Sequence, residues 1–372
     1  MCCGCSACVN VCPQKCISMI SDEEGFLYPR IDVSSCIDCG LCEKTCPFMA
    51  QLEPHLPNVA YAAINADNKE REQSSSGGVF SMLARQVLLE EGIVFGAAFD
   101  DEWNVCHAAI KDIYDLPSIR GSKYVQSIIG DCYKLIEKYL HEGKKVLFSG
   151  TPCQVAGLKL YLRKDYKNLF TVDVVCHGVP SPRVWKDYIS SIQKNSIINS
   201  ITFRDKCTGW KNYSFSATFT NGYSIQEEHN SNLFIQGFLH NMYLRPSCHQ
   251  CKVKGGRSGS DITLGDYWGV HNIHNELNDN KGVSLVLVHT AKGNAMIQKV
   301  CPILKKTSYD QAIKWNACVE MSTPQDKWRT IFWNHYNEGK DIENSINYVL
   351  NCQRPTLFCK VLRKIKSYLF LK

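Results

Sequence analysis

The sequence predicts an α+β chain in four parts: a cysteine-rich N-terminal module, a short linker, a large α/β domain that includes an antiparallel hairpin region, and a helical C-terminus. Three observations lead there. A four-cysteine motif occurs twice in the first 48 residues, and strand–loop–helix units alternate from residue 59. Near residue 213 the apolar spacing changes to period two, and after residue 311 it becomes helical again.

The N-terminal module spans residues 1–50. Cys2-x-x-Cys5-x-x-Cys8-x-x-x-Cys12-Pro13 recurs as Cys36-x-x-Cys39-x-x-Cys42-x-x-x-Cys46-Pro47, so the repeat period is 34 residues. Thiolates at i, i+3 and i+6 wrap one face of a cubane, and the fourth cysteine, followed by proline, ligates the other cluster of a two-cluster ferredoxin-type module. The crossed assignment gives Cys2, Cys5, Cys8 and Cys46 to one 4Fe-4S cluster, and Cys36, Cys39, Cys42 and Cys12 to the other. Zinc is the alternative, because paired Cys-x-x-Cys motifs also hold it tetrahedrally. Two complete copies with the Cys-Pro terminator favour iron–sulfur. Cys3 and Cys16 read as bystanders. No strand precedes the first ligand, so either the start lies further upstream or the first cluster has less cover than usual. Residues 25–31 read as a short extended segment between the copies.

Residues 51–58, with Pro54 and Pro57, form a linker. The α/β domain is expected over 59–310. Residues 59–64 predict a strand, and the charged stretch 65–73 a solvated loop. A helix follows over 79–91, with Val79, Phe80, Leu83, Ala84, Val87 and Leu88 on one face and Gly92 as its stop. Strands are predicted at 93–99, 146–149 and 172–176, and helices at 132–142 and 154–162. Such units place their chemistry at strand ends. Tyr213, Phe215, Ala217 and Phe219 alternate with polar residues into Asn221-Gly222, a hairpin signal. Residues 233–244 read as an amphipathic helix, 262–264 and 283–289 as strands, and 311–372 as a helical extension.

Composition narrows the function. With 372 residues and 44% hydrophobic content, the chain can build proper cores. No apolar run reaches the ~18–20 residues that span a bilayer. The opening Met1-Cys2-Cys3-Gly4 lacks a basic stretch and an apolar h-region, so a cytoplasmic location is expected. In a reducing compartment, 21 cysteines, 10 of them among the first 46 residues, point to metal rather than disulfides. The formal charge of +6 counts every cysteine as neutral. Three four-thiolate clusters of roughly −2 each would cancel it, so it is no argument for nucleic acid. Nor is there an aromatic-interleaved basic stripe.

Six motifs occur in order: SSSGGVF at 74–80, RGSKYVQS at 120–127, FSGTPCQVAGL at 148–158, VCHGVPS at 175–181, RPSCHQC at 245–251 and SDITLGDYWG at 260–269. Together they resemble the coenzyme F-420 hydrogenase/dehydrogenase beta-subunit family over residues 59–300, with the ferredoxin-type module fused in front. The resemblance implies an α/β flavin-binding domain holding a flavin, usually FAD, that exchanges hydride with a substrate and single electrons with iron–sulfur clusters. Ser75, Ser76, Gly77 and Gly78 would meet the flavin pyrophosphate with backbone N–H groups at the positive end of a helix dipole. Ser122, Lys123, Tyr124, Gly150 and Thr151 are the further flavin contacts it implies. Lys123 would stabilise negative charge on a reduced ring, the alternative being a surface lysine.

Cys153, Cys176, Cys248 and Cys251 sit inside those motifs and make a third 4Fe-4S ligand set. Cys106, Cys132, Cys207, Cys301, Cys318, Cys352 and Cys359 read as small buried hydrophobes. His177 is not assigned a catalytic role. The tail carries Lys360, Arg363, Lys364 and Lys366 among apolar residues, and a docking terminal helix is preferred there over a membrane contact. The expected function is an iron–sulfur flavoprotein oxidoreductase, exchanging hydride with a deazaflavin or another conjugated ring and passing single electrons to a redox partner protein. The rival readings are an electron-transfer adaptor without a substrate of its own and a zinc-stabilised interaction protein.

Overall fold

A computed structural model describes residues 1–193 and 196–353. Its centre is an eight-stranded mixed sheet built from β3 (Val59–Ile64), β4 (Ile93–Phe99), β5 (Val105–Ile110), β6 (Val146–Gly150), β7 (Leu169–Val174), β11 (Ile262–Asp266), β12 (Ser284–Val288) and β13 (Ile303–Thr307). The order across it is β13-β3-β12-β11-β7-β6-β4-β5. The four central strands β11, β7, β6 and β4 are parallel, and the outer pairs are antiparallel.

Strand alternation sorts the core onto two faces. Tyr61, Ala63, Val94, Leu147, Val172 and Val286 face the helices Val79–Leu89 and Ala291–Val300. Phe95, Val146, Phe148 and Leu169 face Cys132–His141 and Pro152–Leu162. Cys3, Cys5, Ala7 and Phe48 join this second cluster, so the N-terminal module is packed onto the domain.

The remainder is a three-stranded sheet of β8 (Ile198–Asp205), β9 (Ser214–Phe219) and β10 (Ser224–Glu228). Asn221 and Gly222 turn β9 into β10, with Gly222 at φ +83°. An aromatic core of Trp185, Phe203, Phe215, Phe234, Tyr243 and Phe332 ties this sheet to the helices Pro182–Ile192, Leu233–Leu239, Lys327–Asn337 and Ile342–Gln353.

Several elements differ from the sequence reading. Residues 65–73 contain a helix, Asn68–Glu72, capped by Asp67, and Glu70 and Arg71 are buried. Their charges pair inside the protein: Arg71 grips Asp279 through two 2.7 Å hydrogen bonds, and Arg120 reaches Glu70. The helix expected over 233–244 stops at Leu239, because Asn241 takes a left-handed conformation. Strand β13 carries little sequence signal. It is an edge strand with Lys305 and Lys306 exposed, so its burial pattern is weak. The extended segment between the cysteine motifs is one half of a hairpin, β1 (Ile17–Ser21) against β2 (Leu27–Ile31). The basic tail at 360–372 and Cys359 lie outside the described residues.

Candidate functional site

The 34-residue repeat is also a backbone repeat. Gly4 and Ser6 have positive φ, as do Asp38 and Gly40 at the equivalent positions, and short helices follow at Ala7–Val11 and Leu41–Lys44. These left-handed turns aim amides at sulfur: Gly4 N–H donates to Cys2 Sγ at 3.3 Å, and Asp38 N–H to Cys36 Sγ at 3.4 Å. Amide donors of this kind stabilise thiolates.

The two halves meet opposite surroundings. Cys3 and Cys5 are buried, whereas Cys36 and Cys39 are exposed. Burial pushes the Cys8 thiol up to about 11, and Cys2 and Cys46, its expected co-ligands, add to that. Cys5 enters a notch in helix Pro152–Leu162 left by Gly157. The first half is therefore better covered than the second.

The third set gathers where the strands end. Cys153 is the second residue of the helix after β6, Cys176 follows β7, and Cys248 and Cys251 lie on and just after the 3₁₀ turn Pro246–Gln250. Burial pushes Cys176 well above the ordinary thiol range, with Cys248, Cys153 and Cys251 contributing. Cys248 is pushed up to about 12 by burial, with Cys153 and Cys251 again beside it. Four thiols from three segments are thus mutual neighbours. Among the described residues no three His, Cys, Asp or Glu groups gather tightly enough for a single ion. Cubane ligands bind four different irons and stand further apart than zinc ligands do.

Two supposed bystanders are neighbours of these sets. The adjoining Cys3 thiol, together with burial, holds Cys153 well above its ordinary pKa. Cys16 Sγ lies 3.4 Å from Cys12 Sγ. Spacing alone does not mark either, because neither falls in the repeat register. Of the seven cysteines read as buried hydrophobes, Cys301 is buried, Cys106, Cys132 and Cys318 are half-buried, and Cys207 and Cys352 are exposed.

A cavity of about 630 Å³ opens beside the third set. Ser75, Ser76, Gly78, Ser122, Lys123, Tyr124, Gly150 and Thr151 line it, and so do Cys176 and His177. Gly77 does not. Its N–H already donates to Ser284 Oγ at 3.0 Å, and a Cβ there would meet Ala63 O at 2.4 Å, so it seats the loop on the sheet.

The cavity wall is cross-braced. Ser122 N–H donates to Ser75 Oγ at 2.7 Å, joining the two loops. Lys206 Nζ donates to Arg71 O, Ser76 O and Lys281 O at 2.7, 2.5 and 2.7 Å, and burial pulls it down to about 7. Lys123 Nζ donates to Ser118 O and Arg120 O at 3.0 Å each, and burial pulls it down to about 7 as well. Arg204 is buried on β8, hydrogen-bonds Asp266 at 2.8 Å and Tyr124 Oη at 3.2 Å, and lies over the Tyr213 ring. Its Nε finds no partner among the described residues. Sequence reasoning missed Lys206 and Arg204, since a basic residue at or just past the end of a strand carries no local signal.

Two histidines also line the cavity. His107 accepts from Ser127 Oγ at Nδ1 and donates from Nε2 to Ser149 O, each at 3.0 Å. Ser149 O can only accept, which fixes this tautomer, and the Gln154 amide donates to the same Ser127 hydroxyl at 2.8 Å. Burial drops its pKa to about 4, so it stays neutral. His177 Nε2 donates to Asn241 Oδ1 at 2.6 Å, leaving Nδ1 to face the Cys318 thiol at 3.7 Å.

Comparison with known proteins bears on both parts. Residues 1–50 match the 4Fe-4S dicluster domain, and residues 143–305 match the family described as the C terminus of the coenzyme F420 hydrogenase/dehydrogenase beta subunit. The second match takes in Gly150, Thr151 and all four cysteines of the third set, whereas Ser75–Gly78 and Ser122–Tyr124 precede it. No curated protein matches the chain. Among solved structures, one similar chain comes from the F420-reducing [NiFe] hydrogenase complex of Methanosarcina barkeri, with 18% identity and a TM-score of 0.49, covering 78% of this chain and 97% of that one. No described helix is long and apolar enough to cross a membrane. The chain therefore joins an N-terminal segment similar to the 4Fe-4S dicluster domain to a segment similar to the C terminus of the coenzyme F420 hydrogenase/dehydrogenase beta subunit.

Proposed function

We propose that this chain is a flavin-dependent oxidoreductase whose cavity holds FAD and whose three cysteine sets carry 4Fe-4S clusters. When bound, the flavin supplies hydride exchange with a substrate ring and single-electron exchange with the clusters. The observation that carries the reading is one continuous cavity. It reaches from the serine–glycine loop at a helix start to Cys176 of the third thiol set.

The residues present fit such a group. The volume falls within the range of ~300–1,000 Å³ that ligand pockets occupy. Tyr124, Tyr213 and Trp268 supply flat apolar walls, and Arg120, Lys123 and Arg204 supply positive charge for phosphate or a ring oxygen. The unpartnered Arg204 Nε is a donor with no acceptor of its own, which a ligand carbonyl would satisfy. Ser75 and Ser76 are held by Ser122, Lys206 and Val283 O before any ligand arrives. Such preorganisation lowers the ordering cost of binding. The neutral His107 adds no further positive charge to the cavity.

The substrate class is a conjugated ring able to take or give hydride, a deazaflavin being one candidate. The electrons would leave to a redox partner protein.

The test is anaerobic purification followed by absorbance and by iron, sulfide and flavin analysis. The reading expects about twelve irons per chain and one flavin, with Cys5→Ala and Cys39→Ala each removing about four irons. Iron without any flavin uptake, even on reconstitution, would leave the electron-transfer adaptor as the better account. Zinc in place of iron would refute both.

A further inference from the structure

Asp173 is buried in the main sheet, and nothing in the proposed chemistry uses it. We propose that Asp173, Thr263 and His289 form a proton relay, which carries one proton inward to Asp173 when the third cysteine set takes up an electron. The proposal rests on the reading of that set as cluster ligands and adds how its charge is balanced.

The sheet builds the relay. Asp173 on β7 and Thr263 on β11 are register partners in a parallel pair, so their side chains share one face. Thr263 Oγ is hydrogen-bonded to Asp173 Oδ1 and lies 2.9 Å from Nε2 of His289, which follows the end of β12. His289 Nδ1 donates to His55 O at 2.8 Å, because a carbonyl can only accept. That last bond leaves two proton arrangements. In one, His289 is an imidazolium, and Thr263 accepts from Nε2 and donates to an ionised Asp173. In the other, a protonated Asp173 donates to Thr263, and Thr263 donates to a neutral His289. Both hold the same number of protons and keep every one of these hydrogen bonds. A proton can therefore pass between a half-buried imidazole and a buried carboxyl without leaving either unpaired.

The carboxyl is poised between the two states. Burial raises its proton affinity, whereas Ser258, Thr263 and the charge of His289 lower it. A cavity of about 20 Å³, room for one water molecule, is lined by all three relay residues and by Cys176. Asp173 precedes Cys176 on the same run of chain. His289 is two strands away and level with Asp261, further from the strand ends. An electron received by the third set, from the flavin or the dicluster domain, adds negative charge nearer to Asp173 than to His289. The proton is drawn inward as a result. The step balances: the set is reduced by one electron, one proton moves from His289 to Thr263, and the Thr263 hydroxyl proton moves to Asp173. Oxidation reverses it. Lys254, Tyr309 and Cys318 also face this cavity, and Lys254 Nζ is held by Cys176 O and Met321 O at 2.6 and 2.9 Å. Asp261, beside His289, pairs with Lys292 at 3.3 Å.

The experiment is reduced-minus-oxidised infrared difference spectroscopy of the full-length holoprotein in an electrochemical cell, with iron analysis and EPR on the same sample. The wild type should gain a protonated-carboxyl band on reduction, which shifts in heavy water and is missing in Asp173→Asn. Isotope labelling of aspartate carboxyls assigns the band even where Asp173→Asn fails to fold. Thr263→Val cannot pass a proton and should lose the band, and reduction of its third set should slow about tenfold. Thr263→Ser should restore both. A fully iron-loaded, reduced wild type without an aspartate band would overturn the relay and leave the cluster reading standing. An unchanged band and rate in Thr263→Val would do the same. A protein without iron at the third set would sink both.

Discussion

Cys5 lies against Gly157 so closely that a β-carbon on that glycine would meet Cys5 Sγ at 2.9 Å and Cys5 Cβ at 3.1 Å. Gly157 is inside a helix, where glycine costs about 1 kcal/mol relative to alanine. The close approach of the N-terminal module accounts for its presence.

Gly157→Leu should therefore push Cys5 outward. The expected result is loss of about four irons per chain, one cluster's worth, together with destabilisation of about 1–3 kcal/mol from overpacking. Iron analysis and denaturant melts check it. Full iron in a stable variant would mean that the module can shift without consequence.

Cys251→Ala should remove the third set's iron, again about four per chain, while flavin retention stays near that of the wild type. Cys251 does not line the cavity. Metal and flavin analysis on the same sample separates the two effects. Electron delivery from a hydride donor to a one-electron dye should fall sharply even though hydride still enters.

Lys206→Met keeps the length of the side chain but removes the donors to Arg71 O, Ser76 O and Lys281 O. Three carbonyls, two of them partly buried, would lose this donor at once. A stability loss of about 2–4 kcal/mol is expected, with at least tenfold weaker flavin retention because Ser76 lies on the cavity wall. Lys206→Arg should restore part of both. Fluorescence titration with FAD is the measurement.

The pH dependence of ligand retention follows from Lys123. Burial pulls its pKa to about 7, so its charge is present below that pH and gone above it. An anionic ligand should therefore bind several-fold more tightly near pH 6 than near pH 8. Lys123→Arg, which stays charged, should flatten the profile. Stability runs the other way. Between about 7 and the ordinary lysine value of ~10.4 the unfolded chain binds the extra proton, so this residue's contribution to stability rises with pH across that window.

The cysteine repeat was legible through its period of 34 residues, and the parallel strand core through short apolar runs set between helices of period 3.6. The four thiols of the third set were grouped by the family-like motifs that hold them rather than by spacing, which marks only Cys248-x-x-Cys251. Their approach depends on how β6, β7 and the Pro246–Gln250 turn lie across the sheet. Arg71 and Glu70 misled for the opposite reason. Their charge pattern reads as solvated, but Asp279 and Arg120, far away in sequence, neutralise them in the interior. Lys206 and Arg204 escaped notice because their partners are carbonyls and one carboxylate from other elements. Cys3 reads as a bystander because it lies out of register, and out of register is where it must be to reach Cys153.

Arg245 is fully buried, and its guanidinium donates to Cys2 O at 2.8 Å, to Leu27 O at 2.9 Å and to Gln126 Oε1 at 2.8 Å while lying over the Tyr28 ring. Three of those partners belong to the N-terminal module, and one to the loop that carries Lys123 and Tyr124. Removing the module would take away two of its three hydrogen-bond acceptors and the aromatic ring that covers it. The two parts should therefore melt as one cooperative unit, and damage to the module would be felt at the cavity as lost rigidity. A chain that begins at residue 59 is consequently a poor surrogate for the intact protein, however complete its own sheet.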